Sequence, residues 1–267
     1  MFPLFFGKPD RQLYGVYHMP ELGRALPLGA VLCQPILHEY ADARRAFRAL
    51  ADRLAKAGVH ALRFDYQGTG DSAGNGDTCA VDRWLEDIET AIDELKASRG
   101  LEAVGLVGLR FGATLAAQVA SRRDDVPFSV LWEPVTAGAT YLDQLRKLQT
   151  AWVNWECRTR PSARSQASQV EVFGHPLSEQ LAAGLARTDL PPLSGLRSAR
   201  SLFVDEGSAQ GGESLRREAA LRDTQVQACH IDGGQVWRRE FDGAQAQVPF
   251  ELLSQVTNWI REGAETP

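Results

Sequence analysis

The 267-residue sequence has no apolar run approaching the ~20 residues that a membrane-crossing helix needs, and no run of basic residues. With a net charge of −5, it gives no support to nucleic-acid binding or to docking on an anionic membrane surface. Cysteine is sparse: Cys33, Cys79, Cys157 and Cys229 are scattered and form no C-x-x-C pair. Reduced thiols are expected in a chain of this size, and neither a disulfide framework nor a metal site. Histidine is scarcer where it would matter most, since none follows His230. The apolar start, Met1 to Phe6, is too short for a signal-peptide core and runs straight into Lys8, Asp10 and Arg11. The expectation is a soluble, cytoplasmic protein with no cofactor.

What is present is a regular alternation of strand and helix signals. β-formers from Phe5 to Met19, broken by Gly7–Asp10, predict a hairpin. Gly29–Pro35 reads as a strand buried on both faces, as in a parallel sheet. A helix follows over Asp42–Ala57, with Phe47, Leu50, Leu54 and Ala57 at helical spacing, and then a strand over His60–Asp65. Trp84, Ile88, Ala91, Ile92 and Leu95 stripe the next helix. Val104–Gly108 is a strand running directly into a helix of small residues, Gly112–Ala120, and Phe128–Trp132 is another strand.

The order βαβαβαβ implies right-handed crossovers and a doubly wound, mostly parallel sheet. Residues 136–191 break the rhythm. They hold an amphipathic stretch (Tyr141, Leu142, Leu145, Leu148, Trp152, Trp155), a polar linker over Arg158–Gln169 and a short helix over Leu177–Ala186. This segment reads as an inserted helical cap between core segments 1–135 and 192–267. Alternation resumes with a strand Ser201–Val204, a helix containing Leu215 and Ala219, a strand Val226–Ile231 and a helix Pro249–Arg261.

The segment expected to carry chemistry is Val107-Gly-Leu-Arg-Phe-Gly-Ala-Thr-Leu115. It resembles the G-x-S-x-G elbow of α/β hydrolases, where a tight strand-to-helix turn presents a nucleophile above the helix N-terminus. Gly108 and Gly112 stand where that turn needs them, but the central residue is Arg110. The run Arg63-Phe-Asp-Tyr-Gln-Gly-Thr-Gly-Asp-Ser72 resembles a loop of the serine-aminopeptidase-like branch, with Asp65, Asp71 and Ser72 bracing the loop.

A catalytic histidine would follow the last strand. There the sequence is Cys229-His-Ile-Asp-Gly-Gly-Gln-Val-Trp237, which puts Val236 or Trp237 at that position. His230 falls about six residues early and reads as structural. The acid position is held by Asp205 or Glu206, each equally explicable as a salt-bridge partner. With nucleophile and base both missing, about 10⁶ in rate is lost from a triad that works as a unit. Arginine cannot replace serine, because its guanidinium stays protonated in proteins.

A cation at a helix N-terminus is opposed by only about 0.3–1 kcal/mol, which one carboxylate offsets. Glu39, Glu133, Asp205 and Glu206 are the candidate partners of Arg110. Two readings compete: an internal Arg–carboxylate brace, which we favour, and a site for an anionic ligand gripped by the guanidinium and the helix amides. The candidate contact set for such a ligand is Arg110, Phe111, Leu37, His38, Glu39, Glu133 and Trp237, with Leu37–Glu39 in a loop running from Gln34 to Arg45. His38 there is either a pocket contact or a surface loop residue.

The resemblance extends to Pro35, Glu39, Arg44 and Arg45, to Gly70-Asp-Ser72, to Trp132-Glu-Pro-Val135 with Gly138, and to Val170–Leu177. On these residues the chain resembles the second type of hydrolase-like protein found with exosortase A systems. That resemblance implies an α/β-hydrolase fold, a hydrolase label and a role near exopolysaccharide and protein-sorting loci. The chain departs from it at Tyr40-Ala-Asp-Ala43 and at Gly-Gln-Val-Trp237.

Three functions fit. One is a pseudo-hydrolase that binds an anionic or acyl-type small molecule without turnover. Another is an esterase-type hydrolase using water activated by Asp205, Glu206 or Glu133. The third is an assembly protein forming a homo- or hetero-oligomer through the cap.

Overall fold

A computed structural model describes residues 1–159, 171–206, 218, 226–230, 235–238 and 247–265. The chain begins with an antiparallel hairpin, β1 (Phe2–Lys8) and β2 (Arg11–His18), in which Phe6 faces Leu13. Strands β3 (Leu28–Cys33), β4 (His60–Phe64), β5 (Ala103–Leu109) and β6 (Phe128–Trp132) follow. A small two-stranded ribbon, β7 (Glu171–Val172) and β8 (His175–Pro176), precedes β9 (Arg200–Asp205) and β10 (Val226–His230). The main sheet has eight strands in the order β1-β2-β4-β3-β5-β6-β9-β10. It is antiparallel from β1 to β4 through β2 and parallel beyond.

Helices cover both faces, which is why β3 and β6 are buried at every residue. On one face, α1 (Leu37–Lys56) and α6 (Phe250–Glu265) bury Phe47, Leu50, Leu54, Leu253, Val256 and Ile260 against the sheet. On the other, α2 (Val81–Arg99) and α3 (Phe111–Ala120) bury Trp84, Ile88, Ile92 and Leu115. Fully burying each such side chain stabilises the fold by about 1.5–3 kcal/mol. Gly100, at φ 65°, supplies the left-handed residue that ends α2.

The connection from β6 to β9 contains α4 (Gly138–Thr159), the β7–β8 ribbon and α5 (Glu179–Arg187). Tyr141, Leu142, Leu145, Leu181 and Leu185 join the same core as α2 and α3, so this segment is packed onto the domain rather than suspended above it.

Two local features depart from the sequence expectations. The helix expected from Asp42 begins at Leu37, so His38 and Glu39 lie in its first turn and are buried, not in a loop. Their polarity makes the segment look loop-like, yet both find partners inside the fold. The β7–β8 ribbon was not expected, since neither strand exceeds two residues and neither carries a usable periodicity. The helix containing Leu215 and Ala219 lies outside the described residues, as does the linker expected over Arg158–Gln169 apart from two residues that finish α4. Among the described residues, no helix is long and apolar enough to cross a membrane.

Candidate functional site

β5 passes into α3 through one residue. Arg110 sits between them at φ 55°, ψ −126°, a left-handed conformation that costs a non-glycine residue about 1–3 kcal/mol and persists only where the surroundings enforce it. The enforcement comes from close approach. A Cβ on Gly112 would lie 2.2 Å from the carbonyl oxygen of Gln34, and one on Gly108 would lie 2.4 Å from Cα of Ala113. The Arg110 amide donates to the Trp132 carbonyl at 2.9 Å, and the Thr114 hydroxyl donates to the Val135 carbonyl at 2.7 Å. The turn of a nucleophile elbow is therefore intact around a guanidinium.

Arg110 Nε donates to Oε1 of Glu39 at 3.2 Å, and Tyr141 OH donates to the other carboxylate oxygen at 2.9 Å. Phe111 stacks on Tyr141, with ring centroids 5.7 Å apart and planes 10° apart. The guanidinium carbon lies 5.3 Å from the centroid of Trp237 and 5.7 Å from that of Tyr141, within cation–π range of both. Burial raises the Glu39 carboxyl above the usual carboxylate range, while Arg110 and the Tyr141 hydroxyl pull it back. Burial acts most strongly on Arg110 and would lower it, but the Glu39 charge and hydrogen bond, together with Tyr141 and Glu133, hold the guanidinium above its ordinary value. The result is an ion pair with both partners hydrogen-bonded.

Beyond this pair opens a cavity of about 750 Å³. Arg110 and Trp237 line it from the core, and Tyr141, Lys147 and Leu148 from α4, while Arg238 also borders it. Among the described residues, no carboxylate and no histidine line it. Of the residues expected to contact a ligand, Arg110 and Trp237 face the cavity, whereas Leu37, His38, Glu39, Phe111 and Glu133 do not. Glu39 and Phe111 are occupied by Arg110 and Tyr141. The His38 ring lies 4.6 Å from that of Phe173, tilted by 43°, and is buried, which corrects its reading as a surface loop residue.

The expected acids lie deeper. Glu133 accepts the Glu206 amide at 2.5 Å, and Trp132 Nε1 donates to Glu206 at 2.7 Å. Burial, reinforced by the Glu133 and Asp205 charges and opposed by Trp132, pushes the Glu206 carboxyl up to about 7. Asp205 ends β9 beside His230 of β10, with Oδ2 and Nδ1 3.5 Å apart. Val236, one of the two residues at the expected histidine position, is buried in the core between the sheet and the α1–α6 layer.

The Asp65–Ser72 loop is braced within itself and onto β2 and α1. Asp65 accepts from Tyr40 OH at 2.8 Å and from the Asp71 amide at 3.1 Å. The Ser72 hydroxyl donates to the Asp65 carbonyl and accepts the Tyr14 amide at 2.8 Å. Among the described residues, no group of histidines, cysteines and carboxylates is arranged to hold a metal ion. Lys147 and Arg238 were not singled out from the sequence. The only signal for Lys147 was its place three residues beyond Gln144 and six beyond Tyr141, on the face of α4 turned to the cavity.

The strand order, the hairpin and the elbow define an α/β-hydrolase fold. Its sequence matches the family described as serine aminopeptidase, S33, over residues 30–182, more than half its length, so the chain belongs to that hydrolase-like family. No curated protein matches by sequence. Similar solved structures include Est1E from Butyrivibrio proteoclasticus with ferulic acid bound, at 15% identity and TM-score 0.64, covering 97% of this chain and 96% of that one. An esterase of Pyrococcus furiosus aligns at 15% identity and TM-score 0.63, covering 98% and 91%. A serine hydrolase of Xanthomonas campestris, described as lacking a lid, aligns at 16% identity and TM-score 0.57, covering 99% and 93%. Identities this low establish the shared fold alone.

Proposed function

We propose that this protein is a pseudo-hydrolase that binds an anionic small molecule in the cavity beside the elbow and does not carry out serine-type acyl transfer. The observation that carries this reading is the Arg110 guanidinium, held in the elbow conformation and lining a cavity with no carboxylate or histidine among the described residues. A cation fixed over a helix N-terminus cannot attack a carbonyl, but it can hold a carboxylate or phosphate by charge-assisted hydrogen bonds. The cavity volume falls in the range of small-molecule sites.

Hydrolysis by carboxylate-activated water fits less well. Asp205, Glu206 and Glu133 are buried, and none of them lines the cavity. The sequence resemblance to exosortase A-associated proteins supports a role alongside exopolysaccharide or protein-sorting functions, with the bound anion as the link.

Purified protein should neither label with a fluorophosphonate probe nor turn over p-nitrophenyl acyl esters. It should show a melting temperature raised by carboxylates or phosphates, with the rise reduced in Arg110→Lys. Ester turnover above heat-killed protein that disappears in Arg110→Ala would sink the pseudo-hydrolase reading.

A further inference from the structure

Among the described residues, the lining of the cavity is not electrically balanced. Glu39 compensates Arg110, at 3.2 Å, so the base of the cavity is close to neutral. Lys147 of α4 and Arg238 also line the cavity. Among the described residues neither meets a carboxylate: Arg238 bonds only to Gln235, through Nη1 at 3.3 Å to its side chain and through its amide, and Lys147 is exposed. Among the described residues, two positive charges that meet no carboxylate therefore border an opening whose remaining wall is largely apolar and aromatic, including Tyr141, Leu148 and Trp237. Leu148 is 40% exposed beside Lys147, an apolar side chain at the mouth that a ligand body would cover.

A monocarboxylate would leave one of these charges unmatched. A phosphate monoester carries about −1.5 to −2 at neutral pH and offers three strong acceptor oxygens. An apolar body attached to it would lie along Trp237 and Leu148 and remove their surfaces from water. Building on the anion-binding reading above, we infer that the cavity takes a phosphate monoester with an apolar body. Its headgroup lies at Lys147 and Arg238, and its body lies along Tyr141, Leu148 and Trp237.

Isothermal titration of the full chain with octyl phosphate, octanoate and inorganic phosphate tests this assignment. Octyl phosphate should bind at least tenfold more tightly than either of the others. Lys147→Ala and Arg238→Ala should each weaken it at least fivefold while changing octanoate affinity less than twofold. Both side chains are exposed, so thermal melts of the two variants should match the parent and confirm folding. Octanoate binding as tightly as octyl phosphate, or octyl phosphate binding that ignores both substitutions, would overturn the phosphate assignment and leave the anion-binding reading standing. Inorganic phosphate binding as tightly as octyl phosphate would remove the apolar body. No binding of any of the three at millimolar concentration would overturn both this assignment and the anion-binding reading.

Discussion

Arg110 Nε lies 3.2 Å from Oε1 of Glu39, a residue 71 positions earlier in the chain, and this contact ties the elbow to the first turn of α1. Both side chains are largely buried, at 14% and 5% exposure. Removing one member of such a pair strands the other, at a typical cost of about 3–5 kcal/mol. Arg110→Met should therefore destabilise the protein by roughly 3 kcal/mol in urea unfolding. Arg110→Met combined with Glu39→Leu should recover much of that loss, because no buried charge remains. A double variant no more stable than the single would show that the pair is not the origin of the effect.

Restoring the family nucleophile should not restore catalysis. In Arg110→Ser the hydroxyl would stand at the elbow with no histidine, among the described residues, lining the cavity to take its proton, and a serine lacking its base loses about 10⁶ in rate. p-Nitrophenyl butyrate hydrolysis by Arg110→Ser is expected to equal that of Arg110→Ala. A clear excess would point to a base not identified in the described residues.

Gly112 tests the turn independently of its charge. A methyl group there meets the Gln34 and Cys33 carbonyl oxygens at 2.2 and 2.4 Å, and these belong to backbone that cannot rotate away. Overpacking of this kind costs about 1–3 kcal/mol, and more where backbone must move. Gly112→Ala should lower the urea midpoint by an amount at or above the top of that range. A neutral result would mean that the elbow is looser than its close contacts imply.

Glu206 should give the protein a pH-dependent stability with an unusual sign. Its folded pKa of about 7 lies above the unfolded value near 4.3, so the folded state holds the proton more tightly. The associated stabilisation is complete below about pH 4 and is lost as pH rises through 7, by up to roughly 3 kcal/mol. Glu206→Gln mimics the protonated form and keeps the acceptor for Trp132. Between pH 5 and 8 its stability should fall less than that of the parent, and parallel curves would exclude Glu206 as the source.

Most of the architecture is legible in the sequence because burial on two faces leaves continuous apolar strands. β3, β5 and β6 fall within one or two residues of the segments read as strands. The elbow is legible for a different reason, since only glycine fits beside it. The start of α1 is not, because His38 and Glu39 look solvent-facing until their partners, Phe173 and Arg110, arrive from distant parts of the chain. The cavity is legible only at Arg110 and Trp237. Lys147 sits on a helix read for its apolar stripe, and nothing local distinguishes a lysine facing a cavity from one facing water.

Gly138 adds a mechanical constraint. A Cβ there would fall 1.9 Å from the Leu185 carbonyl oxygen, and its amide donates to the Asp189 side chain at 2.9 Å. The start of α4 is thus pinned, backbone to backbone, against the end of α5. Any side chain at position 138 would drive the two helices apart, so their close packing depends on the glycine there.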